Sequence, residues 1–365
     1  MTAWRSVLLT PNVLGKDGVS ALSREMARAL PSPAVIVSLH DDSCAADGSP
    51  VGIEIRGARS SRMAFVTAAL NTMRRAGPDT TVVCSHLHLA PVVKLVSLLS
   101  SGARPTVMLC GIEAWTPLRR LERWALATSE VAAISQHTVD RFKAANPLLR
   151  ALDVRVCHPG LPATGTPALG LSSTALIVGR MSAAERYKGH DVLIDMWPRV
   201  VKRHPDAMLV VAGEGDDRPR LEARARDRGI AHAVKFVGAV SDAALVNLYE
   251  QCRFFVMPSR DEGFGLVFLE AMRAGKACIG GTGAAAEIID HGMTGFVVDP
   301  ANHHDVEVAV QLLYDDPDMC ARYGGGARQR FLSMFTDRHF QARFTGIVAH
   351  ATRGMLSPSM PQMSA

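Results

Sequence analysis

The chain has 365 residues, of which 48% are hydrophobic, 21% charged and 5% aromatic. That length exceeds one ordinary domain and suits two of about 150–200 residues; the composition excludes a fibre or a disordered chain, and so few aromatics argue against reading single-stranded nucleic acid by base stacking. The net charge of +5 is carried by the first half, because residues 1–160 hold 18 basic against 12 acidic residues and the remainder 22 against 23.

In chain order, Ser6–Leu9, Ala34–Leu39, Thr81–Ser85, Thr106–Leu109, Val131–Ile134 and Val154–Cys157 read as short β-branched strands. Amphipathic segments lie between several of them, at Val19–Leu30, Arg62–Ala76, Ala90–Leu99, Pro117–Thr128 and Thr138–Ala145. His158–Pro167 is rich in Pro, Gly and Thr without periodicity and reads as an interdomain linker. The alternation then resumes. Ala175–Val178, Ala207–Ala212, Val234–Val237, Phe254–Met257 and Ala277–Ile279 read as strands, and Asp191–Arg203, Arg218–Arg228, Asp242–Gln251, Leu266–Ala274 and Ala284–His291 as helices. Strands alternating with helices of 10–15 residues mean parallel βαβ sheets. The expected architecture is α/β: two Rossmann-like domains facing across a deep interdomain cleft, with ligands at the carboxyl ends of the strands. The expected bounds are 1–160, a linker at 161–173, and a second domain at 174–335. A C-terminal helix within 336–365, returning to the first domain, and a frayed tail complete the chain.

Seven cysteines, an odd number without any C-x-x-C pair, read as reduced and mostly buried thiols. The mean hydropathy is +0.11, yet no run of about 18 apolar residues occurs. The first apolar stretch is stopped by Pro11 and Asn12, too early for a signal peptide, so the expected compartment is the cytoplasm.

The richest constellation is Pro258–Met272, where a buried strand enters a turn with two glycines and a helix starts near Gly265. Gly263 and Gly265 permit close backbone approach, and the N–H groups from Gly263 and Phe264 to Leu266 sit where a helix N-terminus attracts phosphate. Glu270 lies about 7 Å further along that helix, a distance that suits ribose hydroxyls. Glu262, on the turn, suits the hydroxyls of a sugar. Gly179 and Arg180 end the first strand of this domain, and Lys188 precedes its first helix; the two cations would neutralise a diphosphate leaving group. Gly213 belongs to a Gly-x-Gly turn that lacks the third glycine of a dinucleotide fingerprint, and Val237 with Gly238 could wall a base pocket.

These segments in this order resemble the retaining family 4 glycosyltransferases of the GT-B fold. The resemblance is densest over residues 174–300, where Glu262 and Glu270 match the two glutamates seven residues apart that mark that family. It implies that Glu262 contacts the donor's sugar and Glu270 its ribose. It also implies that Arg180 and Lys188 hold the diphosphate, with the backbone of Gly263 to Leu266 around the sugar and the β-phosphate. In the first half, Gly15–Ser20 stands for the family's glycine loop, with Gly18 kept and Asp17 in place of a second glycine. Cys110, in the run that contains Glu113, stands where many relatives carry a histidine that contacts the transferred sugar, and His86 and His88 are substitutes within reach of the same strand ends.

The implied activity is transfer of a hexosyl group from a nucleotide diphosphate sugar, of the GDP-mannose or UDP-glucose type, to a glycan or lipid-linked acceptor. No Asp-x-Asp metal clamp stands out, so no metal is expected, and neither a cofactor nor a nucleic-acid partner is expected. Two other readings remain open: a sugar-nucleotide-binding subunit without catalysis, and a nicotinamide-dependent oxidoreductase, which the missing fingerprint disfavours. Peripheral contact with an anionic membrane is expected from Thr116–Leu126, which places Arg119, Arg120 and Arg123 beside Leu118, Leu121, Trp124 and Ala125 at helical spacing. The bland alternative packs that helix in the core.

Overall fold

The computed structural model describes residues 4–99, 104–165 and 172–353, which form two compact units. Unit 1 comprises the described parts of Met1–Pro159 and Asp337–Ala365, and unit 2 is Gly160–Thr336. Part of the expected linker, residues 166–171, lies outside the described residues, as does the tail after residue 353.

Unit 1 is built on seven parallel strands: β1 (Trp4–Thr10), β2 (Ala34–Ser38), β3 (Glu54–Gly57), β4 (Ala76–Cys84), β5 (Thr106–Leu109), β6 (Glu130–Ala133) and β7 (Val154–Val156), in the order β3-β2-β1-β4-β5-β6-β7. Val7, Leu8 and Leu9 in β1 are fully buried, as a central strand covered on both faces requires. Val7 pairs with Val35 on one side and Val82 on the other. Helices α1 (Gly18–Ala29), α2 (Arg62–Met73), α3 (Ala90–Ser97), α4 (Arg120–Ala127) and α5 (Gln136–Ala145) make the crossovers.

Unit 2 has six parallel strands: β8 (Thr174–Val178), β9 (Met208–Ala212), β10 (Val234–Gly238), β11 (Phe254–Met257), β12 (Ala277–Gly281) and β13 (Gly295–Val298), in the order β10-β9-β8-β11-β12-β13. Its helices are α6 (His190–Arg203), α7 (Arg218–Asp227), α8 (Asp242–Gln251), α9 (Leu266–Arg273), α10 (Ala285–Ile288), α11 (His303–Asp315) and α12 (Pro317–Met334). The chain's last described helix, α13 (Asp337–Arg353), packs on α1, β5 and β6 in unit 1.

Several elements differ from the sequence reading. Strands β3 and β13 were not anticipated. Both are four residues long and sit at sheet edges, where one partner strand suffices and the buried–exposed alternation is weak. Helix α10 is one turn, not the eight residues of Ala284–His291, because the backbone turns extended at Ile289. Helix α4 begins at Arg120, past Pro117.

In each unit the strand order reverses once, between β1 and β4 and between β8 and β11. In open parallel sheets the crevice outside the carboxyl ends at such a reversal is where ligands bind.

Candidate active site

Of the residues singled out in unit 2, Gly179, Lys188 and the Pro258–Gly265 turn meet at that reversal, whereas Val237 lies on β10, two strands from β8. Gly179-Arg180 follow strand β8, and β11 runs into the turn Pro258–Gly265 that opens α9. Gly265 holds φ +98 at the N-cap, where no side chain caps α9. The first-turn amides therefore face outward with the positive end of the dipole, the arrangement that accepts a phosphate. Phe264 is buried, its ring 6.2 Å from Phe335, so the turn is anchored by its side chain.

Lys188 meets this turn through a close backbone approach. Gly189, with φ +92, is the N-cap of α6, and a Cβ there would lie 2.7 Å from the Pro258 carbonyl oxygen. Arg260 N–H donates to the Tyr187 carbonyl at 3.0 Å and closes the two loops together. Lys188 Nζ then donates to Glu262 Oε1 at 2.8 Å, with 14% and 17% of the two side chains exposed. Gly179 leaves room for the lysine stem, whose Cδ would be 3.2 Å from a Cβ at that position. Arg180 is exposed and paired with Glu185. Both expected diphosphate cations thus carry a carboxylate partner of this chain.

Glu270 lies one turn further along α9 and is half-buried. Its Oε2 accepts a 2.7 Å hydrogen bond from the hydroxyl of Tyr249. Burial raises the Glu270 carboxyl above the ordinary carboxylate range, against the opposing pull of that hydrogen bond and of Arg273. Gly213 serves the backbone: at φ +136 its Cβ would sit 2.1 Å from the Gly179 carbonyl oxygen, so glycine is required where β8 and β9 end together. Val237 is half-buried near the end of β10, beside Gly238 at φ +74.

One neighbour, Tyr249, carries no signal in the sequence, being a single residue inside a helical pattern. Another, His190, belongs to the Lys188–Asp191 run that is typical of the resembled family; it is the first residue of α6, 4% exposed and with Nε2 unpartnered among the described residues. Burial, and next the Lys188 charge, push its pKa down to about 4.

In unit 1, Asp17 is the N-cap of α1 and accepts from the amides of Val19 and Ser20 and from the hydroxyl of Ser20. Gly18 is the helix's first residue, so the N-terminus beside it is already occupied by the chain's own carboxylate, unlike that of α9. His86 follows β4; its Nδ1 accepts from the His88 amide at 3.3 Å, and burial lowers its pKa to about 4. His88 is bound instead to Glu122, Nδ1 to Oε1 at 3.0 Å. The Cys110 thiol donates to the Ser85 carbonyl at 3.0 Å and its amide to Glu113, whose carboxyl burial raises. Burial also drives the Cys110 thiol well above its ordinary range, so it is neither charged nor free to donate outward. A separate cavity of about 620 Å³ lies at the amino ends of β1–β3, lined in part by Trp4, Cys44, Glu54 and Arg56, and gathers none of these residues.

Residues 167–330 match the family model described as Glycosyl transferases group 1. Among curated proteins, the chain is 29% identical over 237 residues to a GDP-mannose-dependent monoacylated alpha-(1-6)-phosphatidylinositol monomannoside mannosyltransferase of Corynebacterium glutamicum, covering 60% of this chain and 62% of that one. It is 34% identical over 185 residues to a glycogen synthase of Mycobacterium tuberculosis, covering 50% and 44%. The chain thus spans less than two thirds of these relatives' own lengths. Among solved structures, Anabaena HepE in complex with UDP and glucose superposes with a TM-score of 0.77 at 17% identity, over 95% of this chain and 99% of that one. The sucrose-phosphate synthase of Thermosynechococcus elongatus gives the same TM-score and identity over 96% and 100%. Two parallel Rossmann-like sheets and these superpositions give the chain the GT-B fold, and its residues 167–330 are similar to the group 1 glycosyltransferases.

Proposed function

We propose that this chain is a retaining glycosyltransferase that moves a hexosyl group from a nucleotide diphosphate sugar, of the GDP-mannose or UDP-glucose type, to an acceptor hydroxyl in a glycan or glycolipid. Unit 2 takes the donor and unit 1 the acceptor. The observation that carries this reading is the 2.8 Å pair of Lys188 and Glu262 beside the uncapped N-terminus of α9. A cation, a carboxylate and a helix N-terminus without a side-chain cap together meet the needs of a sugar diphosphate: neutralisation of the phosphates, acceptors for the sugar hydroxyls, and a dipole aimed at the leaving group.

Bond cleavage leaves negative charge on the diphosphate and positive charge on the sugar. Lys188, Arg180 and the α9 amides stabilise the former, with no metal required; Glu262 and Glu270 hold the sugar and the ribose. The departing phosphate oxygen is the group best placed in this scheme to take the acceptor's proton. Activity in GDP-mannose and UDP-glucose, with the product's anomeric configuration read by NMR and the assay repeated in EDTA, tests the scheme. An inverted product, or loss of transfer in EDTA restored by Mg²⁺ or Mn²⁺, would overturn it.

The locked thiol of Cys110 favours a second reading, a nucleotide-sugar-binding subunit without catalysis. Donor binding with neither transfer nor hydrolysis would select it. For the acceptor side, peripheral contact with an anionic membrane is proposed from the exposed apolar residues of α3 and α4.

A further inference from the structure

Tyr249 lies on α8, in a different element from every residue assigned above, and its only described side-chain hydrogen bond goes to Glu270. The ring is 2% exposed and packs 5.8 Å from Phe255, which in turn meets Phe268 of α9 edge-on at 5.2 Å. Both phenylalanines are fully buried. The phenol is therefore held in one rotamer by β11 and α9, and its hydroxyl occupies a fixed point 2.7 Å from Glu270 Oε2. That bond is made by Oε2, and no hydrogen bond to Oε1 of the same carboxylate is found among the described residues.

We propose that Tyr249 is a positioning residue for nucleotide recognition: its hydroxyl fixes one oxygen of Glu270 so that the other is presented to the ribose hydroxyls of the donor. This rests on the reading that Glu270 takes the ribose. A glutamate on a helix has three side-chain torsions to settle, and a carboxylate that must accept two hydroxyls at once loses affinity if it has to be ordered on binding. A donor on a rigid, buried ring removes that requirement, as a supporting shell does for any preorganised site. The groups that face the carboxylate are the Tyr249 hydroxyl from α8, Arg273 from its own helix, and Asp242 at the start of α8. The phenol and Arg273 favour the ionised form, and burial and Asp242 oppose it.

The test compares GDP and UDP, each with its 2′,3′-dideoxy counterpart, on the full chain, so that the ratio of affinities isolates the ribose hydroxyls from the base and the phosphates. In Tyr249→Phe the ring packing is kept. The expected result is a fall of about three- to tenfold in the ribo/dideoxy ratio, the loss of one hydrogen bond's worth of preorganisation, with dideoxynucleotide affinity little changed. The acid limb of that ratio should also move to higher pH, because the carboxylate loses a donor that favours its charge. Adding Tyr249→Phe to Glu270→Gln should cost nothing further. A wild-type ratio and pH profile in Tyr249→Phe, even with a lowered melting temperature, would leave the tyrosine a core residue and overturn the proposal. A ratio unchanged by Glu270→Gln would instead overturn the assignment of the ribose to Glu270, and the positioning role with it.

Discussion

Lys188 and Glu262 hold each other at 2.8 Å, and that pairing makes each the other's stand-in for a donor. A diphosphate would draw the ammonium, and sugar hydroxyls would take over the carboxylate. Removing the lysine costs twice, since the developing phosphate charge loses its cation and a largely buried carboxylate loses its partner. Lys188→Ala should therefore lower kcat/KM by an amount equivalent to about 2–4 kcal/mol, as one electrostatic contact to a leaving group typically does. With the sugar assigned to Glu262 and the ribose to Glu270 as proposed, Glu262→Ala should lower turnover while nucleotide affinity holds, and Glu270→Ala should do the reverse. Steady-state kinetics beside calorimetric titration with the bare nucleotide separates the two. A Glu262→Ala protein that turns over normally but binds bare nucleotide several-fold more weakly would contradict the assignment. Gly189 belongs to the same argument: with φ +92 and 2.7 Å to the Pro258 carbonyl, any side chain there pushes Lys188 away from the turn.

At the scale of elements, α4 divides its apolar residues. Leu118, just before it, and Ala125 within it are buried in the unit 1 core, whereas Leu121 and Trp124 are 66% and 44% exposed. The core alternative and the surface alternative are each right for half of the stripe. Helix α3 packs on α4 and adds Leu95, with Leu98 and Leu99 just beyond it, all exposed. Lys94, Arg119, Arg120 and Arg123 lie on or next to the same two helices, Arg123 donating to the Leu118 carbonyl, while Glu122, the acid among them, is buried and turned to His88 and the Arg119 amide. Exposed apolar side chains on helices that also carry cations suit the boundary of an anionic bilayer, each basic residue near it contributing about 1 kcal/mol. Sedimentation should show binding to anionic but not neutral vesicles, abolished in Arg119/Arg120/Arg123→Glu. Absence of binding to anionic vesicles at low salt would end the membrane proposal and favour a water-soluble acceptor.

For the molecule as a whole, chain order and compact units do not coincide. Unit 2 is one continuous stretch, but unit 1 closes only with α13, whose Phe340 and Phe344 are fully buried, with rings stacked at 5.6 Å. Residues 160–336 alone should unfold cooperatively in urea and still bind nucleotide. Residues 1–159 alone should not fold cooperatively unless a peptide of 337–353 is supplied, since losing two buried phenylalanines costs several kcal/mol; cooperative folding of 1–159 by itself would refute this. Both units also share an acid liability. His86 and His190 are held near pKa 4 by burial, while an unfolded histidine titrates near 6.5. The unfolded chain therefore binds more protons between those values, and stability falls as pH drops from about 6.5 towards 4. Asp217, lowered to about 2 by Arg220 and Arg186, keeps its charge until well below that window. Urea midpoints at pH 7 and 5 should differ, and His190→Gln should flatten the unit 2 part; an equal slope in the variant would reassign the loss to other groups.

The alternation of β-branched runs and amphipathic helices determined two parallel α/β sheets, because local periodicity records which face of each element is buried. The run from Pro258 to Met272 likewise determined the turn that carries Glu262 and the helix N-terminus that Glu270 follows, since all of that geometry lies within fifteen consecutive residues. What only the tertiary structure decided is whatever joins distant segments. The Lys188–Glu262 pair spans 74 residues, Tyr249 reaches Glu270 from another helix, and α13 returns to a sheet whose strands end some 180 residues earlier. The edge strands β3 and β13 fall in the same class, for a four-residue strand gains its identity from the neighbour that pairs with it. Such contacts leave no period in the sequence, because the energy that fixes them comes from packing and burial that exist only once the chain has folded.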